Sequence, residues 1–144
     1  MSSRETTTSR GLGLDLTMHI ILCSDNSAVR EAVVGRVVDQ SARLTVCESG
    51  MELLAAVRNL AADLVVLDLG THGLGGLLLV SAVQELAPGL PILAVSATVD
   101  VDGRPLIQKG IPHVILGAEG DGELQAVVTE LTGRRAAVLG AEFR

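Results

Sequence analysis

Apolar residues fall along this chain in short blocks, separated by longer stretches in which they recur every three or four positions. The blocks lie at His19–Cys23, Leu44–Cys47, Leu64–Leu67, Ile92–Val95 and His113–Leu116, each almost continuous in Val, Ile and Leu. Such runs predict short strands covered on both faces rather than strands with one wet face. Between them the spacing turns helical. Leu53, Val57 and Leu60 fall at i, i+4, i+7, whereas Leu79, Ala82, Val83 and Leu86 fall at i, i+3, i+4, i+7. Leu124, Val127, Val128 and Leu131 repeat the second pattern.

The punctuation agrees with that pattern. Ser49 and Glu52 form a capping box that should start the second helix. Asp121 is placed to cap the last helix, with Glu123 in its first turn. Pro88 and Pro91 bracket the turn into the fourth strand. The first helix, about Ser27 to Asp39, is rich in valine, so packing rather than propensity must hold it. Asp102-Gly103-Arg104-Pro105 interrupts the fourth helix and leaves it short, about Pro105 to Lys109.

Strand–helix alternation from Met18 to Thr132 implies parallel strands with right-handed crossovers and helices on both faces, a three-layer α/β sandwich. One domain, 18–132, is expected. Met1–Thr17 is Ser/Thr-rich and is expected to be a disordered leader; 133–144 is expected to be a short tail.

Two carboxylates stand out in this frame. Asp68 ends the third apolar run and opens into a glycine-rich stretch. Asp25 stands in the same position after the first run. Acids at strand ends lie on the rim where open α/β sheets place ligands, and two such acids can share a divalent cation or a phosphate.

Composition narrows the field. Hydrophobic residues make up 48% of 144, enough for one real core rather than disorder. The single aromatic, Phe143, lies next to the C-terminus, so the core must be built from Val, Leu, Ile and Ala. A net charge of −6 argues against nonspecific nucleic-acid binding. Cys23 and Cys47 fall inside strands and read as buried free thiols of a reducing cytoplasm, without zinc-ligand spacing. No apolar run approaches the roughly 18 residues of a membrane span, and the first 17 residues lack a signal-peptide core. A cytoplasmic protein making no membrane contact is expected.

Weaker signals carry plainer readings. The loop Gly70–Gly76 lacks the Lys-Ser/Thr ending of a Walker-type nucleotide site. Gly11-Leu12-Gly13 precedes the first strand, whereas a dinucleotide turn must follow it. His72 lies in the loop beside Asp68 and is either a solvated histidine, the plainer reading, or a ligand or proton carrier. His19 and His113 start strands and read as packing or edge residues.

The order of these features resembles the receiver domain of two-component response regulators. The resemblance rests on Asp25 after the first strand, Asp68 ending the third, Gly76 opening the third helix, Ser96-Ala97 ending the fourth strand, and Gly110-Ile111 before the fifth. It implies a flavodoxin-like fold with a five-stranded parallel sheet in the order 2-1-3-4-5. It also implies that Asp68 is the phosphoacceptor, Ser96 the switch hydroxyl, and Asp25, Asp68 and the Gly70 backbone carbonyl the ligands of a weakly bound or missing Mg²⁺. A histidine kinase or another signalling protein is the implied partner, with homodimerisation through the helix 4–strand 5–helix 5 face, which carries Arg104, Lys109, Val127 and Glu130.

The chain also departs from that pattern. Ser24 stands where the first of two paired acids belongs, Gly117 where a lysine belongs, and Val114 where a switch aromatic belongs. Losing one carboxylate should weaken Mg²⁺ binding, and losing the lysine removes the cation that offsets charge on a transferred phosphoryl group. The expected function is a stand-alone, non-enzymatic receiver-like signalling protein. Two alternatives stay open: a phosphorylation-independent pseudo-receiver, and a small flavodoxin-like ligand binder or enzyme. The lack of an aromatic to stack on a flavin counts against the last.

Overall fold

A computed structural model describes residues 18–37, 42–71, 76–97, 104–116, 124 and 126–131. The expected leader, the caps Asp121 and Glu123, the loop residues His72 to Gly75, Gly117 and the tail lie outside the described residues.

The elements alternate as the apolar blocks require. They are β1 (Met18–Cys23), α1 (Ser27–Val37), β2 (Ala42–Cys47), α2 (Gly50–Asn59), β3 (Leu64–Asp68), α3 (Gly76–Leu86), β4 (Ile92–Ser96), α4 (Arg104–Gln108) and β5 (His113–Ile115). A helical stretch at 126–131 follows. The sheet is five-stranded in the order β2-β1-β3-β4-β5, with every neighbouring pair parallel.

Period-two pleating sorts the strand side chains into two cores. On one face Ile20, Leu22, Leu64, Val66, Leu93, Val95 and Val114 pack with Val29 and Val33 of α1 and with Leu124, Val128 and Leu131. On the other face Ile21, Cys23, Val65, Leu67 and Ala94 pack with α2, α3 and Leu106 of α4. Full burial of such a side chain contributes about 1.5–3 kcal/mol, so both layers are needed to offset chain entropy. The helical spacing fails only at helix ends: Leu60 and Leu86, expected on the buried stripe, are exposed because each lies at or just beyond the last turn.

Local chemistry sets the boundaries. Ser49 caps α2, its Oγ accepting from the Glu52 N–H at 3.2 Å. The returning Glu52 carboxylate accepts from the Glu48 N–H at 2.8 Å, one residue earlier than in the usual box. Gly76 opens α3 against Leu69, where a Cβ would lie 3.0 Å from Leu69 Cδ2 and 3.2 Å from its carbonyl oxygen. The fourth helix is short, as the Asp-Gly-Arg-Pro interruption predicts.

Candidate functional site

Asp25 and Asp68 come to the same rim because β1 and β3 are parallel neighbours. Cys23 pairs with Leu67, so the residues that follow each strand emerge side by side. The two acids differ in exposure. Asp25 turns to solvent, whereas Asp68 is 4% exposed.

Ser24 does not leave a gap between them. It is fully buried, and its Oγ donates to Asp68 Oδ2 at 2.8 Å. The Gly70 N–H donates to the other oxygen, Oδ1, at 2.9 Å. Among the described residues Asp68 thus accepts one protein donor on each carboxylate oxygen. Its own carbonyl accepts from the Thr71 N–H at 3.1 Å, which holds the start of the following loop.

Ser24 is fixed from every side. Its N–H donates to the Cys47 carbonyl at 2.9 Å, tying it to β2. Its Oγ accepts from the Asn26 N–H at 3.1 Å, and its carbonyl accepts from Arg30 Nη1 of α1 at 3.1 Å. Asn26 in turn caps α1, its Oδ1 accepting from the N–H groups of Ala28 at 2.8 Å and Val29 at 3.2 Å. Sequence reasoning missed Asn26 and Arg30 as parts of the site. An Asn directly before the helical stretch was the available signal for the first; nothing in the spacing marks the second.

Ser96 reaches the same edge of the sheet but not the same carboxylate. Asp68 pairs with Val95, so pleating turns Ser96 to the opposite face. Its hydroxyl meets His113 Nε2 at 2.7 Å, and that is its one side-chain hydrogen bond among the described residues. His113, read from the sequence as an edge or packing residue, therefore ties β5 to the end of β4.

The thiol beneath the site records its electrostatics. Burial pushes Cys23 up from 9.0 to about 12; Cys47, Asp68 and Asp25 add to the rise, while a hydrogen bond with Thr71 opposes it. Burial and Glu52 push Cys47 up to about 11. Both cysteines are free and buried, as their strand positions predicted.

A divalent cation fits this arrangement poorly. Mg²⁺ requires near-octahedral oxygen ligands about 2.0–2.1 Å away. Here one oxygen of Asp68 faces a hydroxyl proton and the other an amide proton. Among the described residues no group of three or more His, Cys, Asp or Glu side chains could hold a metal ion.

Comparison with known proteins fits the fold. The response regulator receiver domain model matches residues 20–129. The transcriptional regulatory protein GlrR of Escherichia coli K12 is 26% identical over 94 residues, covering 65% of this chain and 21% of that protein. The chain spans about a fifth of the length of the curated relatives it matches. A CheY-like receiver domain protein from Methanospirillum hungatei JF-1 superposes with a TM-score of 0.73 at 15% identity, covering 84% of this chain and 98% of that one. NtrX from Brucella abortus gives 0.75 at 22% identity, covering 89% and 30%.

The chain belongs to the response regulator receiver domain family of two-component signalling. Members of this family typically bind Mg²⁺ at an acidic pocket and interact with histidine kinases and other signalling proteins. Among the described residues no helix is long and apolar enough to cross a membrane.

Proposed function

We propose that this chain is a non-enzymatic receiver module that signals through protein–protein contact without phosphoryl transfer to Asp68. The observation that carries this reading is the buried Ser24 Oγ–Asp68 Oδ2 hydrogen bond of 2.8 Å. A carboxylate already satisfied by a hydroxyl and an amide gains less from a cation or a phosphoryl donor than one held among other acids. The absence of a lysine at Gly117 and of an aromatic at Val114 points the same way. A cytoplasmic location, with a histidine kinase or other signalling protein as partner, belongs to this reading. The exposed Ile107 of α4 and Ile115 of β5 support docking at that edge, in a hetero-complex or a homodimer.

A second reading keeps Asp68 as the phosphoacceptor, Ser96 as the switch hydroxyl, and Asp25 with the Gly70 carbonyl as Mg²⁺ ligands. The emergence of Asp25 and Asp68 from the ends of neighbouring parallel strands favours it. Incubation with millimolar Mg²⁺ and a small acyl phosphate, followed by intact-mass measurement, separates the two. The first reading expects no adduct. A single phosphoryl adduct, lost in Asp68→Asn, would establish the second.

A further inference from the structure

We propose that Ser24 is a hydroxyl plug that excludes divalent cations from this rim, and that this one side chain keeps Asp68 and Asp25 from acting as a cation site. The inference rests on the functional reading above and assigns its cause to a residue.

The geometry is specific. Ser24 is fully buried, and every one of its polar atoms is engaged: N–H on Cys47, Oγ on Asp68 and Asn26, carbonyl on Arg30. Its hydroxyl proton lies on the Asp68 oxygen that faces β1, on the side from which Asp25 emerges. The Ser24 oxygen has its proton on Asp68 and one lone pair on the Asn26 N–H, and because the residue is fully buried its remaining lone pair has no open side from which a hydrated cation could reach it. Arg30 adds a guanidinium against the Ser24 carbonyl, a fixed positive charge on the same rim. In effect the protein supplies from its own groups what a cation would supply to a buried carboxylate: a positive dipole on each oxygen.

Removing the plug and replacing it with an oxygen ligand should therefore create a cation site from residues already present. Ser24→Asp adds a carboxylate beside Asp68. Ser24→Asn adds a neutral carbonyl oxygen and avoids like-charge repulsion, so it serves if the first variant folds poorly. Mg²⁺ affinity would be measured by titration of amide resonances in the full chain. Paramagnetic Mn²⁺ then locates the site by broadening of the Asp25 and Gly70 amides. Both variants should bind Mg²⁺ about tenfold or more tightly than the wild type, the scale on which ligand-shell changes act. The wild type should show no saturable shift at millimolar Mg²⁺.

Wild-type binding as tight as that of either variant would overturn the plug. So would folded variants, judged by their amide spectra, that gain no affinity. These outcomes are separate from the fate of the functional reading, which falls if the wild type takes up a phosphoryl group at Asp68 whatever the variants do.

Discussion

Two serines end two strands of one sheet, and they do different work. Ser24, after β1, is fully buried and donates to a carboxylate, and it is tied to β2, β3 and α1. Ser96, ending β4, is 2% exposed and meets a single histidine on the edge strand. The family pattern implies the reverse weighting, with Ser96 beside Asp68 and Ser24 as a lost ligand. In this structure the Ser24 hydroxyl is on Asp68 and the Ser96 hydroxyl on His113. Asp68 is in register with Val95, and the next residue of β4 must turn away. The position that continues β1 beside Asp68 is Ser24. A hydroxyl's role at a strand end thus follows from register as much as from residue type.

The contrast can be broken at several depths. The deepest is Leu22, two residues before Ser24 and fully buried on the α1 face. Leu22→Ala should cost about 2–5 kcal/mol and loosen the rim above it. Chemical denaturation followed by far-UV circular dichroism measures this, since the chain has no Trp or Tyr.

Ser24→Ala comes next. It leaves a buried carboxylate oxygen short of a donor, and a hydrogen bond to a charged group is worth about 1.5–3 kcal/mol. The same denaturation assay should report a loss in that range, and a loss below about 0.5 kcal/mol would equate Ser24 with a surface site.

Alkaline pH tests the thiols beneath the rim. Both have folded values above the ordinary 9.0, so the stability gained by keeping them protonated is complete below pH 9.0. It is lost as pH rises toward about 11 for Cys47 and about 12 for Cys23. Each thiol contributes a slope of up to about 1.4 kcal/mol per pH unit in that window. Denaturation midpoints measured across it should fall with pH, and Cys47→Ser should flatten the fall.

The smallest effect belongs to Ser96→Ala, about 0.5–1.5 kcal/mol for one neutral hydrogen bond. Because the two serines face opposite sides, Ser24→Ala with Ser96→Ala should be additive within about 0.5 kcal/mol. Larger coupling would mean that the two strand ends form one site.

Much of this architecture was legible in the chain. The five apolar runs became β1 to β5, and the box at Ser49 and Glu52 starts α2. Asp25 and Asp68 were placed on one rim because parallel strands end on the same side. What was not legible is which side chains face one another beyond the last paired residue. Ser24 reads as a missing acid until the hydrogen bonds of β1 to β2 and β3 fix its direction. Arg30 and His113 enter through tertiary contacts, to Ser24 and Ser96 respectively, that no local spacing encodes.

A double-mutant cycle between Ser24→Ala and Asp68→Ala, read as unfolding free energy, tests the hydroxyl–carboxylate contact itself. The two single losses should together exceed the double by about 1–3 kcal/mol. Losses that simply add would mean that Ser24 and Asp68 do not depend on each other.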